Sequence, residues 1–258
     1  MNQAKSIVMM LRALRLPTIQ SQYSTLARQA VNNNWSFEQY LKVLLEMEMT
    51  ERTKRRIQRL LKRSGLPEGK TLATLEQKLL PMKIRRQIPL LLEGSFVERA
   101  ENILAFGLPG RGKTHLAVAI ARELIVQKGY SVFFTSTHRL VEQLLVAKRN
   151  LEIEDKLKKL DRYDVVILDD IGYVQQNREE MEVLFTFLSE RYERKSLMIT
   201  SNLVFSEWDR IFKDPMTTAA AIDRLVHHSV ILELDNDSYR AKQASKRQKE
   251  VQQGNTKT

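Results

Sequence analysis

The 258-residue chain contains no cysteine. That excludes disulfides and thiolate metal sites, and it fits a reducing cytosol. It has only four histidines, too few to lead one to expect a histidine-built metal centre. No apolar run approaches the roughly 18 residues of a membrane span. The first ten residues carry Lys5 and a short apolar stretch. They lack the cleavage site and apolar length of a secretion signal, so a cytoplasmic protein is expected. No internal repeat is visible. At 43% hydrophobic and 28% charged the composition is that of a globular protein, long enough for one large or two modest domains.

Acids are scarce at both ends. Residues 1–66 hold 12 Lys and Arg against 4 Asp and Glu, residues 67–234 hold 24 of each, and residues 235–258 hold 6 against 3. The net charge of +11 therefore sits on a basic front and a basic tail around a neutral body. That distribution points to a polyanionic partner.

What is present is sharper. Residues 107–114 read Gly-Leu-Pro-Gly-Arg-Gly-Lys-Thr, a complete G-x-x-x-x-G-K-[ST] loop. An apolar strand candidate, Asn102 to Phe106, precedes it, and a helix-forming run from His115 to Lys128 follows. Glycines let the backbone close around phosphate oxygens with N–H groups pointing inward, and the helix N-terminus adds its positive dipole end. The binding set is Gly107, Leu108, Pro109, Gly110, Arg111, Gly112, Lys113, Thr114 and His115. Lys113 is expected to reach the β- and γ-phosphates and Thr114 to ligate Mg²⁺. His115 reads as a packing residue at the helix start rather than a catalyst.

Residues 164–170 read Asp-Val-Val-Ile-Leu-Asp-Asp. Four apolar residues mark a buried parallel strand, and two carboxylates stand at its C-terminal end, where α/β proteins bind ligands. Asp169 is the metal-holding acid, and Asp170 is placed to orient and deprotonate an attacking water.

The remaining periodicity gives helices over 3–15, 19–31 and 37–63, the last opened by a Ser36/Gln39 capping box. Gly65 and Pro67 stop it, and residues 64–69 form the linker. Residues 71–99 look mostly helical, broken at Pro81 and Pro89, and would pack beside the nucleotide site. Strands at 131–135, 164–169, 196–200 and 230–234 then alternate with helices at 137–149, 154–160, 178–195 and 216–228. The expectation is an α/β fold: a five-stranded parallel sheet flanked by helices, behind a small all-α N-terminal domain. The domains would be 1–66, 67–242 and a basic, disordered tail at 243–258.

Two further site candidates follow. Asn202, after the fourth strand, could hydrogen-bond the attacking water or the γ-phosphate, though Asn is also common in such turns. Arg224 has no acid three or four residues away on its helix. It is therefore a candidate to neutralise transition-state charge across a subunit interface. His227 and His228 read as a solvated helix end. Arg52, Lys54, Arg55, Arg56, Arg59, Lys62 and Arg63 put seven cations into twelve residues with no acid after Glu51. Favourable helix-end charge alone does not need so many, so these residues are candidates for phosphate-backbone contacts with duplex DNA. No base-reading motif accompanies them, so binding should be mainly non-specific.

Gly107–Thr114 with His115-Leu116-Ala117, Leu168-Asp169-Asp170-Ile171-Gly172, Thr200-Ser201-Asn202, Asp223-Arg224-Leu225 and Ser238-Tyr239-Arg240 resemble the IstB-type AAA+ ATPases over nearly the whole chain. These are transposition helpers of insertion sequences, related to DnaC/DnaI-type helicase loaders. Leu14-Arg-Leu-Pro17 and Leu45-Glu-Met-Glu48 before Arg52 favour the IstB side. The resemblance implies an ATP- and Mg²⁺-dependent homo-oligomer, assembled through ATP-bridged interfaces, that engages DNA and recruits a transposase. By motif position Lys113 and Thr114 are Walker A, Asp169 and Asp170 Walker B, Asn202 sensor 1 and Arg224 the arginine finger; whether Arg240 acts as a sensor-2-like group is left open. The sequence departs from the AAA+ pattern twice. Asp170 stands where most members have Glu, which would slow hydrolysis, and only 24 residues follow the last strand, too few for a C-terminal helical lid. A replicative helicase loader, binding a helicase ring, is the alternative. A small-molecule P-loop kinase would need a lid and acceptor-binding arginines that are not seen.

Overall fold

The structure, a computed structural model, describes residues 3–173, 177–208, 211 and 215–235. Arg240 and the tail at 243–258 lie outside the described residues. The chain forms two compact units, Met1–Arg59 and Leu60–Thr258.

In the first unit α1 (Gln3–Ala13) and α2 (Pro17–Asn32) pack with α3 (Phe37–Ser64), which runs across the boundary. Ile19, Leu26 and Leu44 form its small core, with Leu11, Tyr23 and Tyr40 against them. Ser36 Oγ accepts the Gln39 N–H at 3.2 Å, the first half of the expected capping box. Pro17 opens α2, and Leu16 at its N-cap supplies no side-chain bond. The cap comes from α3 instead. The buried Glu48 accepts the N–H of Thr18 at 2.7 Å and of Ile19 at 3.1 Å.

In the second unit residues 71–81 form turns and one 3₁₀ turn at Gln77–Leu79, not the expected helix. Helix α4 (Met82–Glu93) starts after Pro81 but runs through Pro89, contrary to the expected break, and stops at Gly94 (φ 78°). Pro89 is exposed, and Ile84, Ile88 and Leu91 anchor the buried face on either side of it. The loss of one backbone donor is tolerated there. A short α5 (Ser95–Glu98) leads into β1 (Asn102–Phe106).

The other elements are α6 (Lys113–Glu123), β2 (Val132–Ser136), α7 (Thr137–Arg149), α8 (Ile153–Asp161), β3 (Val165–Asp169), α9 (Arg178–Arg191), β4 (Ser196–Ser201), α10 (Pro215–Val226) and β5 (Ser229–Glu233). A π-wound turn, Leu124–Lys128, extends α6 to Gly129, so the expected stop falls where glycine supplies a left-handed φ. An unforeseen capping box, Asn177 with Glu180, opens α9.

The five strands form one parallel sheet in the order β2-β3-β4-β1-β5. The central strands read as continuous apolar runs because both sheet faces are covered. Every residue of β1 and β4 is buried. On one face Leu140, Leu144, Leu184, Phe187 and Trp208 form the main core. The parallel arrangement brings the C-terminal ends of β1, β3 and β4 to one edge, where the phosphate loop begins.

Candidate nucleotide-binding site

The loop leaves β1 at Gly107, with φ 147°. A Cβ there would lie 2.3 Å from the Leu234 carbonyl oxygen, while the Leu234 N–H donates to Phe106 O at 2.8 Å. The chain beyond β5 presses on the loop's first residue, and only glycine fits. Arg111 reaches the same Leu234 carbonyl at 3.2 Å. Gly110 (φ 84°) and Gly112 (φ 94°) complete the turn into α6.

A cleft of about 370 Å³ opens beside the loop. Pro109 through His115, with Asp170, Thr200 and Asn202, line one side, and Lys70, Thr74, Leu75, Glu76, Leu79 and Leu80 line the other. Leu75, Leu79 and Leu80 thus make the segment at 70–80 a wall of the cleft with an apolar part. His115 Nε2 fastens this wall to α6, at 3.1 Å from Thr71 O and 3.2 Å from Thr74 Oγ1. His115 is therefore more than the packing residue that the sequence suggests.

Lys113 is 7% exposed. Its ammonium donates to Gly107 O at 2.6 Å, Leu108 O at 3.0 Å and Asn202 Oδ1 at 2.7 Å. These oxygen acceptors occupy donors that phosphate oxygens can take over. Thr114 Oγ1 donates to Asp169 Oδ1 at 2.7 Å. A hydroxyl and a carboxylate side by side form the all-oxygen donor set that suits Mg²⁺.

Asp170 leaves β3 with φ 61°, a left-handed conformation that non-glycine residues rarely adopt. Its N–H donates to Thr200 Oγ1 at 2.9 Å, and its carboxylate accepts both hydrogen bonds of the Asn202 carboxamide, at 3.0 and 2.9 Å. Burial pushes the Asp170 carboxyl above its usual range, and Asp169 adds to this; Lys113 and Asn202 partly oppose it. A raised carboxyl is a better proton acceptor.

Sequence reasoning missed Thr200 as a site residue. Its hydroxyl donates to Asp169 Oδ1 at 2.8 Å and accepts from Asp170 N, so it fixes both acids. Leu168 pairs with Ile199, and one further step in that register sets Thr200 beside Asp169. A polar residue at the end of a buried strand was the available signal.

Arg224 stands apart and does not line the cleft. Its Nη1 donates to Ala220 O at 3.0 Å, and its guanidinium lies over the Phe185 ring at 5.0 Å. The local partner is aromatic, which a search for nearby acids overlooks.

Among the cations of α3, Arg52, Lys54 and Arg55 have acidic partners. Arg52 Nε lies 3.1 Å from Glu48, Lys54 Nζ 2.7 Å from Glu51 and Arg55 Nη2 3.5 Å from Glu48. These acids precede the basic run, so a count of acids after Glu51 does not see them. Arg59, Lys62 and Arg63 are exposed and make no ion pair among the described residues.

Residues 9–247 match the family model of IstB-like ATP binding proteins. An insertion-sequence ATP-binding protein of Sinorhizobium fredii is 46% identical over 236 residues, 91% of this chain and 79% of that one. The insertion sequence IS5376 ATP-binding protein of Geobacillus stearothermophilus is 40% identical over 230 residues, covering 89% and 91%. Among solved structures, DnaI matches with a TM-score of 0.55 at 21% identity over 66% of this chain and 95% of that one. The DnaC helicase loader matches with a TM-score of 0.51 at 22% identity, covering 59% and 89%. These likenesses establish a shared P-loop AAA+ fold. With the loop, the acid pair and Asn202 meeting at one cleft, the chain belongs to the IstB-like ATP-binding family of AAA+ P-loop ATPases.

Proposed function

We propose that this protein is an ATP-controlled, DNA-binding helper of insertion-sequence transposition that recruits a transposase and acts in the cytoplasm. The observation that carries the reading is the convergence of Lys113, Thr114, Asp169, Asp170 and Asn202 at one cleft. The chain's relatives are named insertion-sequence ATP-binding proteins. ATP would place its base against the Leu75–Leu80 wall and its phosphates under the loop N–H groups and Lys113. Thr114 and Asp169 would hold Mg²⁺, which when bound neutralises charge on the phosphate oxygens. Asp170 accepts a proton from water as that water attacks the γ-phosphorus; the bond to the β-bridging oxygen breaks and ADP leaves.

The exposed cations of α3 would bind duplex DNA through its phosphates. Arg224, which does not line its own chain's cleft, would serve the nucleotide of a neighbouring copy, which makes assembly ATP-dependent. The test is to size the protein with and without ATP and duplex DNA, then capture partners with the element's transposase and a replicative helicase as baits. ATP-dependent oligomers on DNA that retain the transposase support the reading. Retention of the helicase alone overturns it in favour of a loader.

A further inference from the structure

Two of the four histidines are adjacent, and they lie far from the cleft in the chain's topology. His227 and His228 form the turn between α10 and β5, and Glu193 lies in the turn between α9 and β4. Both turns precede strands whose C-terminal ends face the nucleotide site, so the cluster lies at the opposite edge of the sheet. We propose that Glu193, His227 and His228 bind one divalent transition-metal ion of the zinc class, a site the sequence alone gave no reason to expect.

The geometry is close to that of a metal centre before any metal enters. One donor atom from each of the three residues lies within 4.8 Å of the others. His228 Nε2 and Glu193 Oε1 are 3.5 Å apart. Two ligands about 2.0–2.1 Å from a tetrahedral Zn²⁺ stand roughly 3.3 Å from each other. The two imidazoles meet edge to face with centroids 4.2 Å apart. Tyr192 Oη lies 3.2 Å from His227 Nδ1. An Nδ1–H donated to that oxygen fixes the ring and leaves the Nε2 lone pair for a ligand, the outer-shell arrangement usual for metal-bound histidine.

Imidazole and carboxylate together select Zn²⁺, Ni²⁺, Co²⁺ or Cu²⁺ over Mg²⁺ and Ca²⁺. All three residues are exposed, so water can complete the coordination. A bound ion would join the turn after α10, which carries Arg224, to the turn after α9, which carries the Phe185 ring beneath it. The competing arrangement is a plain Glu193–His228 ion pair. That pair needs protonated histidine, whereas metal binding needs neutral histidine.

The test is calorimetric titration of the full-length, tag-free protein with ZnCl₂, with excess Mg²⁺ and ADP present to fill the nucleotide cleft. One saturable equivalent per chain is expected. Loss of an outer hydrogen-bond partner typically weakens a metal site about 10–100-fold, so the His227→Ala/His228→Ala double variant and Glu193→Gln should each lose at least roughly tenfold. His138→Ala, which removes a histidine beside Glu142, should keep full binding. Unaltered ADP binding in every variant shows that the fold persists. No saturable binding to the wild type, or an undiminished equivalent in the double variant, overturns the site.

Discussion

The carboxamide of Asn202 grips both carboxylate oxygens of Asp170, at 3.0 and 2.9 Å, while its own oxygen accepts from Lys113 at 2.7 Å. One side chain therefore touches both the lysine proposed to bind phosphate and the acid proposed as base. Its hydrogen bonds favour the ionised form of Asp170, against the burial and the Asp169 charge that disfavour it. Asn202→Ala should raise the Asp170 pKa further. The base then stays protonated to higher pH, so the acid limb of the turnover profile moves up and kcat falls at neutral pH. Asp170→Asn should spare ATP binding and cut turnover by about 10²–10⁴-fold, the usual worth of a general base. Wild-type turnover in Asp170→Asn would remove it from the chemistry.

His115 ties the apolar wall to the phosphate loop through Thr71 and Thr74. His115→Ala should loosen the wall and leave the loop's phosphate contacts in place. Affinity for ATP should drop several-fold, and affinity for inorganic tripolyphosphate, which has no base, should hardly change. Equal losses for both ligands would mean that His115 supports the loop instead.

The phosphate loop and acid pair were legible because backbone chemistry dictates them. Phosphate needs glycine turns and a helix start, and a buried parallel strand needs an apolar run ending at the ligand edge. Partnerships made across the fold were not legible. Thr200 reaches Asp169 only through the register of β3 and β4, Arg224 finds Phe185 on another helix, and Glu48 caps a helix some thirty residues upstream. Pro89 misled for a related reason: local propensity argues for a break, and burial of Ile84, Ile88 and Leu91 outweighs one lost hydrogen bond.

Arg224 is proposed to act on a neighbouring copy, and its resting place over Phe185 keeps it away from its own chain's cleft. Arg224→Ala and Lys113→Ala should each abolish ATP turnover alone. Mixing them should restore part of it, because one interface then pairs an intact loop with an intact arginine. Confirmed mixed oligomers with no recovered activity would exclude action across the interface.

Glu48 is 2% exposed and bonds Thr18 N, Ile19 N and Arg52 Nε. Burial alone would raise its pKa, but the two backbone donors and Arg52 outweigh that and hold it below the usual carboxylate range. A depressed carboxylate stabilises the fold fully above its unfolded pKa, and that stability is lost as pH falls below the ordinary glutamate range toward the folded value. Glu48→Ala should cost about 3 kcal/mol by orphaning helix donors and two arginines. Thermal melts of the two proteins should differ at neutral pH and converge in acid. A constant gap across that range would mean that the charge is unimportant.

The basic residues of α3 at 52, 55, 56, 59, 62 and 63 recur at helical spacing, so they share one face over roughly 16 Å of helix. Arg52 and Arg55 also hold Glu48, and replacing them would confuse binding with folding. Arg59, Lys62 and Arg63 are the cleaner test. If each neutralises a phosphate, log affinity for duplex DNA falls with log salt by about 0.9 per contact, and the Arg59→Ala/Lys62→Ala/Arg63→Ala variant should flatten the slope by about two to three units. Random and preferred sequences should weaken alike, since phosphate contacts carry no sequence code. DNA-free ATP turnover should stay the same because these side chains do not line the cleft. An unchanged salt slope would assign the cluster to solvent and move the search for the DNA surface elsewhere on the protein.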